Sequence, residues 1–118
     1  MNVRRVLLSL VFTMLVACGV SDQDRANMKE KMALETERAK IWTATVPNCK
    51  TLASESTAFN TKHHEALSRI ATWWDALSPS KRKTLLDEHA AEDATTIRAM
   101  MLATKPCPDE LKAALKGN

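Results

Sequence analysis

From residue 20 to residue 116 the chain contains no glycine, and that absence constrains its fold more than any other feature. Glycine supplies the backbone conformations of hairpin turns, bulges and tight strand connections, so a stretch this long without it is a poor candidate for a sheet. Alanine, leucine, lysine, glutamate and methionine recur throughout the same stretch, and no segment alternates apolar with polar residues at period two. The chain therefore reads as all-α.

Stop and start signals divide it. Pro47 with Asn48, Ser78 followed by Pro79, and Pro106 with Pro108 each end one helix and permit the next, while Gly117 closes the last. Ser78 as N-cap with Pro79 at the first helical position is the sharpest of these boundaries. Four helices are expected, over about residues 22–46, 51–77, 79–104 and 108–116. On the second, Leu52, Ser56, Phe59, His63, Ala66, Ile70, Trp73 and Leu77 recur at alternating steps of four and three. On the first, Met28, Met32, Ala39, Trp42 and Val46 follow similar steps; on the third, Leu86, Ala90, Asp93, Ile97, Met100 and Thr104 do so, with Leu85, Ala94 and Met101 widening the stripe. Leu111 and Leu115 are placed as a cap on one end. Three long helices of nearly equal length predict an antiparallel three-helix bundle with a short fourth helix.

A different kind of segment precedes these helices. Arg4 and Arg5 stand before an apolar run from Val6 to Val16 that is too short to span a bilayer as a mature helix, so it reads as a targeting signal. Leu15, Val16, Ala17 and Cys18 resemble the lipobox of bacterial lipoproteins, in which a branched apolar residue, a tolerant position and a small residue precede the cysteine that becomes the new N-terminus. An ordinary signal peptide cut at a small-residue site, or an uncleaved apolar stub, is the alternative. The resemblance implies that Cys18 carries diacylglycerol and usually a third acyl chain, an anchor that is stable where a single chain is marginal. Gly19, standing where aspartate is the usual inner-membrane retention signal of enteric bacteria, implies the periplasmic face of the outer membrane; the outer face of the inner membrane and the cell surface are the alternatives. The expected division is a signal peptide over 1–17, a lipidated N-terminus and polar tether over 18–27, and a helical domain over 28–118. The membrane is thus one expected partner, and no cofactor is expected besides the acyl chains on Cys18.

With Cys18 acylated, two cysteines remain, and an even pair in an exported, oxidising compartment predicts a disulfide between Cys49 and Cys107. The bundle topology agrees, because the first and third connections, which carry these residues, fall at the same end. Removing the leader also removes Arg4 and Arg5. The 17 basic residues then become 17 − 2 = 15 against 14 acidic ones, a net charge of +1, which gives no electrostatic reason to bind nucleic acid.

Two constellations could carry chemistry. In an antiparallel pair turning at residue 78, His63 falls level with Asp93, and His89 shares a helix face with Asp93. Imidazole and carboxylate together suit zinc, nickel or copper. The plainer account is a His63–Asp93 hydrogen bond or ion pair that sets helix register, and no metal is favoured. The second constellation is Lys81, Arg82 and Lys83, which crowd the first turn of the third helix, where the macrodipole disfavours positive charge. Trp74 lies one turn earlier, at the end of the bundle where the lipidated N-terminus is expected. Tryptophan with lysine and arginine is how a protein surface settles onto anionic headgroups. The alternative leaves Trp74 at an amphipathic edge and the cations merely solvated.

No phosphate-binding loop, zinc-protease helix or nucleophile elbow is present in the sequence, so no enzyme is expected. In general build the chain looks like the pilotin lipoproteins of secretion systems, which are small, helical and cystine-containing and escort a pore subunit outward. Conjugative entry-exclusion and phage-exclusion lipoproteins share its size class. These likenesses imply a non-enzymatic binding, assembly or exclusion factor for another envelope protein. Leu77, Ser78 and Pro79 are also similar to the helix starts of periplasmic stress chaperones, which implies the rival function of a metal-binding or stress-sensing lipoprotein.

Overall fold

The computed structural model describes residues 19–116, so the leader, Cys18 and Gly117 lie outside the described residues. Six helices account for nearly all of that span: α1 (Asp22–Thr45), α2 (Cys49–Lys62), α3 (His64–Ala76), α4 (Pro79–Glu88), α5 (Ala90–Thr104) and α6 (Pro108–Lys116). There is no strand among the described residues.

The helix starts follow from local side-chain chemistry. Ser21 Oγ accepts from the Asp24 N–H at 3.0 Å while the Asp24 carboxylate accepts from the Ser21 N–H at 3.1 Å, a reciprocal capping box that opens α1. The expected tether is therefore already helical from residue 22, and Arg25 ties it down through an ion pair with Glu88 at 3.1 Å. Asn48 caps α2 through the Thr51 N–H at 3.1 Å, and Ser78 caps α4, where Pro79 occupies the first turn.

The second and third expected helices are each interrupted once, at a histidine. His63 (φ −106°, ψ 18°) separates α2 from α3, and His89 (φ −119°, ψ 27°) separates α4 from α5. Neither supplies a side-chain cap to the helix that follows. The backbone of each histidine is bonded to both neighbouring helices, His63 donating to the Phe59 carbonyl at 3.0 Å and accepting from the Leu67 N–H at 2.8 Å, His89 donating to the Leu86 carbonyl at 3.1 Å and accepting from the Asp93 N–H at 3.0 Å, so each break is a one-residue kink.

α1 packs against α2, α3 and α5, and α6 closes against α2 and α5. The core is consequently strung along α1 in three clusters. Ala39, Trp42, Leu52, Ala99, Ala103, Cys107 and Leu111 pack near the disulfide; Leu34, Phe59, Leu67 and Ile70 form the middle; Met28, Met32 and Leu85 hold the far end. The Cys49–Cys107 disulfide, with Cα atoms 5.3 Å apart, joins the start of α2 to the segment before α6.

The rotational setting of α5 differs from the expectation. Ala99 and Ala103 face the core, whereas Ile97 and Met101 are exposed. Positions 99, 103 and 107 follow one another at steps of four, so turning Cys107 inward for the disulfide turns the two alanines inward with it. Small side chains there also let α5 approach Trp42, which is fully buried between α1 and its neighbours. At the end of the chain, Leu111 and Ala114 are buried and Leu115 is not.

Candidate functional site

The end of the molecule at which α1 begins is built from aromatic and cationic side chains. Val20, two residues after Cys18, packs with Trp73, Trp74, Leu77 and Leu86 around the Met28, Met32 and Leu85 cluster. The turn that carries Lys81, Arg82 and Lys83 is therefore at this same tip. Trp73 is half-buried and its indole N–H donates to Asp24 at 3.0 Å. That bond is the largest of the influences holding the Asp24 carboxyl below the usual carboxylate range. Partial burial opposes it, and hydrogen bonds from Ser21 and the charge of Lys81 reinforce it.

Trp74, also half-buried, is approached by two cations, with Lys31 Nζ 4.9 Å and Arg82 Cζ 5.9 Å from its ring centroid. Arg82 explains part of the charge crowding at the start of α4. Its Nε donates to the Trp74 carbonyl at 3.0 Å and its Nη2 to the Asp75 carbonyl at 2.8 Å. Both carbonyls lie in the last turn of α3, where the dipole favours a cation, and the Trp74 carbonyl also accepts from the Leu77 N–H at 3.2 Å. A charge misplaced on its own helix is thus well placed on the preceding one. Lys83 makes only an exposed i,i+4 pair with Asp87 at 2.6 Å, and Lys81 is half-exposed. Of the four residues expected to touch a membrane, Trp74 and Arg82 are engaged within the fold, and Lys81 and Lys83 present their charges to solvent.

The histidines do not meet. His63 Nε2 lies 3.5 Å from the Glu37 carboxylate of α1 without forming a hydrogen bond, and the imidazole packs on Phe59 with ring centroids 4.7 Å apart. His89 Nδ1 is 3.2 Å from Glu92 on its own helix. No hydrogen bond or ion pair joins either histidine to the Asp93 carboxylate, so the level pairing of His63 with Asp93 is replaced by a pairing across to α1. The cause is the topology, in which α1 rather than the third rod lies against the His63 kink. Among the described residues, the set of three potential metal ligands whose atoms converge within 4.8 Å is Cys49, Cys107 and Glu110, and the two sulfurs there are already bonded to each other.

Two features escaped sequence reasoning. Arg38 is buried in the middle of the molecule, with only 7% of its surface exposed. Burial lowers its pKa and the charge of Glu35 opposes that shift. Its Nη2 donates to Asn60 Oδ1 at 3.2 Å, its guanidinium lies 5.4 Å from the Phe59 ring centre, and Asn60 in turn donates to the Ala114 carbonyl at 2.9 Å. The available signal was a charge at the midpoint of Leu34, Arg38 and Trp42, an i, i+4, i+8 series. The second feature is an open groove of about 460 Å³ between α1 and α5, with Ala39, Lys40, Arg98, Ala99 and Leu102 among its walls. No helix among the described residues is long and apolar enough to cross a membrane.

No family model, curated protein or solved structure matches this chain.

Proposed function

We propose that the chain is a lipid-anchored bacterial envelope protein that works by binding another envelope protein rather than by chemistry. In this reading Cys18 is acylated and sits at the periplasmic face of the outer membrane. The helices stand as an antiparallel three-rod bundle, each of the second and third rods kinked at its histidine, with α6 as the short fourth element. The function is that of an assembly or exclusion factor, as the pilotin-type build implies.

The observation that carries the reading is that Val20, Trp73, Trp74, Leu77 and Leu86 all pack on the one cluster of Met28, Met32 and Leu85. A lipid on Cys18 would bring this tip, with half-exposed Lys81 and exposed Lys83, to the headgroups, where indole rings and lysines are favourable. α1 would carry the disulfide end away from the bilayer.

Two measurements test it. Intact mass of the membrane-extracted protein should show a start at Cys18 carrying acyl chains, and Cys18→Ser should release the protein from the membrane fraction; an unprocessed start, or unchanged membrane retention of the variant, refutes the anchor. In flotation with phosphatidylglycerol vesicles, Cys18→Ser protein should bind weakly and lose that binding in the Lys81→Gln, Lys83→Gln double variant. Arg82 is retained there because it caps α3. Flotation that is absent, or indifferent to those two lysines, refutes contact by the tip.

A further inference from the structure

α5 carries large apolar side chains on more than one face, interspersed with Glu92, Asp93 and Arg98, and such surface is normally covered. Here only part of it is covered. Leu102 is 61% exposed and Met101 67%, and with Ile97 they supply three of the four most exposed large apolar side chains among the described residues. Leu102 forms one wall of the groove between α1 and α5, with Ala39, Ala44 and Ala99 also lining it. The groove hydroxyls are largely spent: Thr43 donates to the Ala39 carbonyl at 2.8 Å and Thr95 to the Ala91 carbonyl at 3.0 Å, which leaves an apolar trough. Its charged lining residues are Lys40 and Arg98, with no carboxylate. Beyond the lining, Lys105 is exposed one turn after Leu102, and Glu37 and Glu92 are exposed one turn before Lys40 and Thr95.

We propose that this groove docks an amphipathic helix of a partner protein, one that presents an apolar i, i+3, i+4, i+7 seam flanked by carboxylates. The inference deepens the binding role proposed above and assigns it a site. On α5 the groove runs from Thr95 to Leu102, about 11 Å of helix, which matches the two turns that such a seam spans. The charge of the lining selects the occupant. A second copy docked in the same groove would bring Lys40 and Arg98 of both copies together, a like-charge arrangement that disfavours self-pairing. A bilayer is disfavoured by position, because Thr36 and Ala44 stand about 21 and 33 Å along α1 from Asp22, toward the disulfide and away from the tip. Acidic residues beside an apolar seam complement both the trough and its lysine and arginine.

The test uses the full purified chain, in neutral phosphatidylcholine nanodiscs, and two fluorescent peptides of about eighteen residues that share one leucine seam. One has glutamate at the flanking positions and the other lysine. Fluorescence anisotropy should show the glutamate peptide binding about tenfold more tightly than its lysine twin. Leu102→Glu should reduce that binding about tenfold, and Lys40→Glu with Arg98→Glu should invert the preference between the peptides. These positions are exposed, so unchanged circular dichroism and melting will show the variants folded. Equal binding of the two peptides, no binding, or binding indifferent to Leu102→Glu overturns the proposal. So does self-association in sedimentation that Leu102→Glu abolishes, which would make the occupant a second copy, and so does vesicle binding that depends on Leu102, which would make it a membrane. Peptide binding does not require acylation of Cys18, so failure of the anchor and failure of the groove are separately visible.

Discussion

Opening the Cys49–Cys107 disulfide tests the architecture most directly. The crosslink joins residues separated by 58 positions. In the chain-entropy account it removes about 14 cal/mol/K from the unfolded ensemble, or about 4 kcal/mol at 25 °C. Unfolding of a domain of about a hundred residues carries an entropy of about 0.2 kcal/mol/K, so losing the crosslink should lower the melting temperature by about 20 °C. Reduction is a cleaner perturbation than substitution, because Cys107 is fully buried beside Trp42, Ala103 and Leu111, and alanine there would add a cavity cost of its own. Thermal melts followed by circular dichroism, with and without a phosphine reductant, measure the shift. The Cys49→Ala, Cys107→Ala variant should fall at least as far as the reduced protein. α6 is held by the crosslink at its start and by the Asn60 bond to the Ala114 carbonyl near its end, so its amides should show the greatest gain in hydrogen exchange. A shift smaller than about 5 °C would refute the claim that the link closes a long loop in an otherwise open chain.

Three further outcomes follow from the side chains around the core. Arg82→Gln should cost about 1 kcal/mol, discounted for partial exposure, because it removes the side-chain donor to the Asp75 carbonyl and one of the two donors to the Trp74 carbonyl, whereas Lys83→Gln should cost almost nothing; equal urea midpoints would refute the capping role. Asp24 has a folded pKa below its ordinary 3.8, so its stabilising contribution is fully present above that value and is lost as pH falls through the folded one. Asp24→Asn should therefore be less stable at neutral pH and lose less on acidification below about pH 4, and urea midpoints with a wild-type acid limb would contradict this. Asn60→Ala removes one acceptor of Arg38 and the side-chain donor to the Ala114 carbonyl, and should cost about 1–3 kcal/mol by denaturant unfolding; a change within experimental error would mean that those groups find other partners.

Helix starts were legible where they are local: Asn48 and Ser78 each satisfy a backbone N–H three residues on, and a proline stands beside each; Ser21 does the same with no proline to mark it. The cysteine pairing was legible for a similar reason, since helix lengths alone bring both residues to one end. The docking groove, the buried Arg38 and the partnering of the histidines were not. Each depends on how helices are rotated about their own axes and bent against one another. On α5 the stripe through Asp93, Ile97 and Met100 was one of several faces bearing apolar side chains, so Cys107 and close packing against Trp42 decided that Ala99 and Ala103 go in and Met101 and Leu102 stay out. His63 and His89 carry no glycine or proline signal, and their kinks arise where the second and third rods follow α1. Short-range hydrogen bonding thus set where each helix begins, and long-range packing around α1 set which side of it meets the core.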